Sequence, residues 1–307
     1  MHNISSKPQI QSFVALDSPE RRRLLGLGIG IGTLLGAAGL SSCSLMGSKK
    51  PVVGLALGAG AARGFAHVGV IKALEAQGIR PDIVVGSSAG SVIAALFASG
   101  ATGNDLNRLA LNLDEATIAD WGLPFAGRFG GLIKGDALQS MVNREVQNKT
   151  IEQMIIPLGI VATELQSGKG ILFRSGNTGQ AVRASCSVPG IFQPSVIGGK
   201  EYVDGGLVAP VPVSYARQMG ATIVIAVNIS SEPAQQDASG TFGILQHTIS
   251  IMQSSINQFE LKNADIVITP QLKQMSGGDF KSRNAAILAG EAAAQEQMAL
   301  IKEKLKG

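Results

Sequence analysis

Two glycine-rich turns do most to limit how this chain can fold. The first, Gly58-Ala59-Gly60-Ala61-Ala62-Arg63-Gly64, directly follows the apolar stretch Val52 to Leu57. The second, Gly86-Ser87-Ser88-Ala89-Gly90, follows Ile83-Val84-Val85. Each closes a β-like run and opens a helix-like one, as turns do where strands and helices alternate around a parallel sheet. The second turn can hold a serine on a sharp strand-to-helix bend. The first can aim backbone N–H groups at an oxyanion. Together they favour acyl transfer over nucleotide binding. A dinucleotide-binding turn needs G-x-G-x-x-G and an acidic residue ending the next strand. Here the spacing is one residue longer, and Asp82 precedes its strand.

The alternation continues downstream. Strands are expected over Pro51–Leu57, Ile83–Val85, Leu158–Thr163, Ile171–Arg174, Glu201–Val203, Ala221–Asn228 and Ala264–Thr269. Helical patterns cover Phe65–Gln77, Ser88–Ala98, Thr178–Ser185, Gly243–Leu261 and Asn284–Lys306. Residues 103–150 read as amphipathic helix, broken at Gly122-Leu123-Pro124 and by a glycine-rich patch, Gly127–Gly135, that suits a mobile loop over a site. The prolines Pro210 and Pro212 mark a turn. This predicts an α/β fold with a mostly parallel sheet covered by helices on both faces. With 45% hydrophobic and 16% charged residues among 307, the chain can bury a substantial core.

The first forty-odd residues have a different character. Arg21-Arg22-Arg23 precedes an uncharged, glycine-rich apolar run, Leu24 to Leu40, and then Ser41-Ser42-Cys43. This is signal-peptide architecture. The last segment resembles a bacterial lipobox, whose cysteine is lipidated and becomes the mature N-terminus. The alternative, a retained membrane anchor, sits at the short limit for a span. The expected organisation is a leader over 1–42, a linker over 43–50 beginning at lipidated Cys43, and one catalytic domain over 51–307. Ser44 is not the aspartate that commonly retains such lipoproteins at the inner membrane. The expected location is therefore the bacterial envelope, lipid-anchored to the outer membrane and facing the periplasm. Cys186 is the only other cysteine. Acylation of Cys43 would leave it without a disulfide partner, and burial would protect it from oxidation.

The net charge is +4, and removing the four basic and two acidic residues of the leader leaves about +2. No basic run is interleaved with aromatics, so nucleic acid is not an expected partner. No His/Cys/carboxylate cluster has metal-ligand spacing, so neither metal nor cofactor is expected. Nothing in the sequence specifies an oligomer.

Ser88 needs a proton acceptor to act as a nucleophile. His67 lies within the first helix, and His247 within Ile244-Leu245-Gln246-His247-Thr248-Ile249, also a helical pattern. Asp204 follows a short strand and precedes Gly205-Gly206, so its carboxylate can sit at a strand end and serve as the base if an apolar site raises its pKa. Each residue also has a plain structural role open to it. Ser88 could simply cap a helix, and Asp204 could simply form an Asp-Gly turn.

Four segments, taken in order, resemble the patatin-like phospholipase family, in the bacterial branch similar to the catalytic region of neuropathy target esterase. They are Gly58–Gly64, Phe65-Ala66-His67-Val68-Gly69-Val70, the turn around Ser88, and Arg183-Ala184-Ser185-Cys186-Ser187-Val188-Pro189-Gly190 leading to Asp204-Gly205-Gly206. The resemblance implies a three-layer, modified α/β-hydrolase-like fold and a Ser–Asp dyad without histidine. Ser88 would be the nucleophile, Asp204 the base, and Gly86 and Gly90 the flanks of the elbow. The oxyanion hole would be Gly58, Ala59, Gly60, Ala61, Arg63 and Gly64, with the Gly60 and Ala61 amides as donors and Arg63 fixing the loop or meeting an anionic head group. The substrate would be membrane phospholipid or lysophospholipid. Ala59 and Ala61 stand where the family often has glycine, and alanine does not readily adopt positive φ. Two alternatives remain: a small-ester hydrolase with a Ser88–Asp204–His247 triad, and a non-catalytic lipid-binding envelope lipoprotein.

Overall fold

Eight strands form one sheet at the centre of the domain. They are β1 (Val53–Leu57), β2 (Ile83–Ser87), β3 (Leu158–Glu164), β4 (Gly170–Phe173), β5 (Ser195–Ile197), β6 (Lys200–Val203), β7 (Ile223–Val227) and β8 (Ile266–Ile268). The computed structural model describes residues 50–113, 133–231, 239–272 and 275–306. The leader, Cys43, the break at Gly122-Leu123-Pro124 and most of the Gly127–Gly135 patch lie outside them.

The strand order is β5-β6-β3-β2-β1-β7-β8, with β4 also pairing to β3. The four pairings from β3 through β2, β1 and β7 to β8 are parallel. The pairings of β4 and β6 with β3, and of β5 with β6, are antiparallel. The parallel core thus carries an antiparallel margin at one side, and that margin delivers Asp204.

Alternation along each strand divides the apolar side chains between two cores. Leu55, Leu57, Val84, Ile160, Ile225 and Val227 face the larger one, built with α1 (Phe65–Ala76), α2 (Ala89–Ala98), α3 (Gly103–Asn112), α4 (Asp136–Glu145), α5 (Thr178–Ser185) and α8 (Arg283–Leu305). Ala56, Val85, Val161, Val224 and Ala226 face the smaller one, with Val213 and Ala216 of α6 (Val213–Gln218). Helices therefore cover both faces, as expected of strands that read as continuous apolar runs.

Most elements fall where the sequence puts them, α5 to the residue. Two were not anticipated. Helix α6 starts directly after Pro212, which occupies its N-cap position, so the proline-marked turn continues into a helix. Strand β5 is a three-residue edge strand, too short to show alternation.

Candidate active site

Strand β2 ends at Ser87, and Ser88 occupies the N-cap position of α2 with φ 51° and ψ −126°. This is a strained conformation for a residue with a Cβ. It turns the chain from sheet to helix within one residue, which requires the neighbouring backbone to come very close. A Cβ at Gly90 would overlap the Leu57 carbonyl, and one at Gly86 would overlap the Gly90 carbonyl. The two glycines flanking the elbow therefore create the room for it.

Ser88 does not cap the helix with its side chain. Its Oγ instead donates to Oδ2 of Asp204 at 2.6 Å. The elbow is braced from below. The Ser88 N–H donates to Ser185 Oγ at 2.9 Å, and that hydroxyl donates to the Val161 carbonyl at 2.6 Å. Ser91 Oγ donates to the Ser88 carbonyl at 2.6 Å.

Asp204 comes from the antiparallel margin. Val203 pairs with Thr163 of β3, so the next residue falls beside the carboxyl end of the parallel strands. Its backbone is held on both sides: its N–H donates to the Ser187 carbonyl at 3.0 Å, and its carbonyl accepts from Thr163 Oγ1 at 2.8 Å. Oδ1 accepts the Gly206 N–H at 2.6 Å, leaving Oδ2 for the serine. Asp204 thus forms the Asp-Gly turn and faces the serine as well. Burial pushes its carboxyl up to about 6, against the lowering effect of the bonds from Ser88 and Gly206. Such a group is ionised at neutral pH and still basic enough to accept a hydroxyl proton.

The Gly58–Gly64 loop passes alongside. The Gly58, Ala59, Ala62 and Arg63 amides donate to the carbonyls of Val227, Pro210, Gly277 and Gly60. The Gly60 and Ala61 amides have no acceptor among the described residues. Ala61 adopts φ 49° despite its Cβ, contrary to the sequence expectation, whereas Gly60 at φ 168° is extended. The strain falls on the alanine because Ala61 opens a short 3₁₀ turn, Ala61–Gly64, that leads straight into α1. Gly64 packs against the elbow, where an added Cβ would stand 2.8 Å from that of Ala89.

Arg63 lies on this turn but not on the cavity wall. It is buried, its Nε finds no acceptor, and burial lowers its pKa to about 10. In this geometry it belongs to the loop and does not reach into the cavity.

A cavity of about 190 Å³ opens beside Ser88, lined by Ala61, Phe65, Val92, Leu109, Met141 and Phe192 among other, mostly apolar, residues. Cys186 lines it too, buried as expected, with burial pushing its thiol far up, so it is a poor nucleophile. His247 sits half-buried on α7 (Gly240–Glu260). No hydrogen bond links it to Ser88 or Asp204, whose carboxylate oxygens are taken by Ser88 and Gly206.

Sequence reasoning gave no role to Ser185, Ser91 or Thr163. Their signal is a small hydroxyl inside an otherwise apolar stretch, where it must find a hydrogen-bond partner when buried.

Residues 55–217 match the patatin-like phospholipase family, and the chain belongs to that family. It is 35% identical over 188 residues to an NTE family protein of Mycobacterium tuberculosis, covering 61% of this chain and 52% of that protein. It is 32% identical over 184 residues to patatin-like phospholipase domain-containing protein 6 of Homo sapiens, covering 59% of this chain and 13% of that one. Lysophospholipase NTE1 of Kluyveromyces lactis is 33% identical over 193 residues, with 58% and 13% covered. The chain thus spans about half the length of the mycobacterial relative and a smaller share of the other two. Among solved structures, VipD from Legionella pneumophila shares the fold with a TM-score of 0.53 at 14% identity, covering 80% of this chain and 66% of that one.

Proposed function

We propose that the protein is a serine hydrolase of membrane-lipid acyl esters, of the phospholipase A or lysophospholipase type. The observation that carries this reading is the 2.6 Å hydrogen bond from Ser88 Oγ to the buried Asp204 carboxylate beside an apolar cavity. The acyl chain occupies the cavity and presents its ester carbonyl at Ser88. Ser88 Oγ attacks the carbonyl carbon and its proton passes to Asp204 Oδ2. The Gly60 and Ala61 amides, free of other acceptors, hydrogen-bond the oxyanion, assisted by the N-terminus of α2. The C–O bond to the leaving alcohol breaks as that oxygen takes the proton from Asp204. Asp204 then deprotonates a water that attacks the acyl-enzyme. The fatty acid leaves and the proton returns to Ser88. Family membership and the lysophospholipase among the relatives favour a lipid substrate. The leader adds a second part to the proposal: lipidated Cys43 holds the domain on the bacterial envelope membrane, at the outer membrane facing the periplasm.

The test is release of free fatty acid from phospholipid and lysophospholipid vesicles, with Ser88→Ala and Asp204→Asn run alongside. Release by the wild type and its loss in both variants is the expected result. Full activity in either variant rejects the dyad. A folded wild type that binds lipid and releases nothing points to a binding protein instead.

A further inference from the structure

Helix α7 turns large apolar residues to solvent. It spans Gly240–Glu260, and from Gly240 to Phe259 it carries no Asp, Glu, Lys or Arg. By contrast α8, of similar length, carries Arg283, Glu291, Glu296, Lys302, Glu303 and Lys304. Among the α7 residues whose burial is described, those buried against the domain are Ser250 and Asn257. Five of its apolar residues face outward: Ile244 is 56% exposed, Ile251 47%, Met252 49% and Phe259 69%, with Leu245 beside them, while Ile249 and Ile256 are half-buried. At helical spacing these five share one band roughly 120° wide, with exposed Thr241, Thr248 and Ser255 between them and no charge. A surface helix of a soluble domain normally turns its apolar stripe inward. An exposed band of large apolar residues marks a surface that meets a partner or a membrane.

The opposite, inward face of α7 packs beside the active site. Gln246 Nε2 points to the Pro189 carbonyl at 3.5 Å, next to Val188 of the cavity wall. Gln253 Nε2 lies where a Cβ on Gly206, two residues from the base, would stand 2.7 Å away.

We propose that the outward face of α7 is an interfacial helix that seats the domain on a lipid bilayer. The partner is the acyl–headgroup boundary of the membrane that holds the substrate. The proposal rests on the lipid-hydrolase reading. Two observations favour a bilayer. The helix has no charge along twenty residues, so its outward face can enter the acyl–headgroup boundary without desolvating one. Its inward face packs beside Pro189 and Gly206, so a membrane met by the outward face lies next to the site. Among the described residues no helix is long and apolar enough to cross a membrane, so α7 lies on the bilayer and does not span it.

The test uses the full chain with an environment-sensitive fluorophore on Met252→Cys, and on Glu303→Cys of α8 as the comparison site. Each is mixed with phosphatidylethanolamine–phosphatidylglycerol vesicles that carry nitroxide-labelled acyl chains. Strong quenching at 252 and weak quenching at 303 is the expected result. No quenching at 252 overturns the proposal. Shielding at 252 without nitroxide quenching overturns it in favour of a second copy of the chain. In parallel, Ile251→Glu with Met252→Glu lowers hydrolysis of vesicle lysophospholipid by at least about tenfold. The same double variant keeps its kcat/KM for a soluble short-chain ester, which also reports that it is folded. Equal activity on vesicles overturns the proposal. Quenching at 252 with no hydrolysis of any ester by the wild type would reject the hydrolase reading and leave the docking face standing.

Discussion

His67 Nε2 and the Gly58 carbonyl oxygen stand 2.8 Å apart, joining α1 to the start of the loop that carries the free amides. The carbonyl can only accept, so Nε2 carries a proton. Burial pushes its pKa down to about 4, against the raising effect of the bond to Gly58.

His67 therefore fixes the position of the oxyanion loop without reaching the substrate. His67→Leu, which keeps bulk and removes the donor, should lower kcat by about tenfold or more and cost roughly 1–3 kcal/mol of stability. Because the folded pKa is depressed, the unfolded chain binds the extra proton as pH falls. The stability tied to neutral His67 is complete above about pH 6.5 and is lost as pH falls towards 4. Thermal denaturation from pH 7 to 4 should show that loss in the wild type and a flatter profile in the variant.

Asp204 titrates in the opposite sense. The base must be ionised, so kcat/KM should fall about tenfold per pH unit below roughly pH 6. Its folded pKa is raised, so ionised Asp204 costs stability at neutral pH. Asp204→Asn should abolish hydrolysis and raise stability at pH 7 by an amount on the order of 2 kcal/mol. The gain should shrink as pH falls through 6 and vanish only below about pH 3, where the wild-type carboxyl is protonated in both states. Melting curves of the two proteins at pH 7 and pH 3 decide it.

The elbow geometry predicts intolerance at one flanking position. In Gly90→Ala the new methyl would overlap the carbonyls of Leu57 and Gly58, which belong to β1 and to the turn after it. A loss of about 3 kcal/mol or more is expected, or no folded protein at all. A denaturation midpoint equal to the wild type would mean that the turn is looser than described.

Chain-length preference should follow the cavity. Val92 lines it from α2, and Val92→Phe fills part of its floor. Activity on long-chain esters should drop by about tenfold or more while short-chain esters retain theirs. A uniform loss across chain lengths would instead place the acyl chain elsewhere.

Much of the fold was legible because its parallel strands are buried on both faces, and such strands read as apolar runs ended by glycine. Ser88 and Asp204 were nominated from their positions at strand ends. Their 2.6 Å contact was not readable, because register across the antiparallel margin sets it. The positive φ of Ala61 was hidden for a similar reason. Propensity argues against it, and the turn from the loop into the 3₁₀ segment ahead of α1 overrides that preference. The exposed apolar residues of α7 were invisible too, since a helical pattern of polar and apolar residues does not say which stripe faces the sheet.

Ser88 and Asp204 are 116 residues apart in the chain and meet only through the pairing of β6 with β3. A partly synthesised or unfolded chain therefore contains the serine without its base. Without that one strand pairing the nucleophile has no partner, however complete the rest of the sheet.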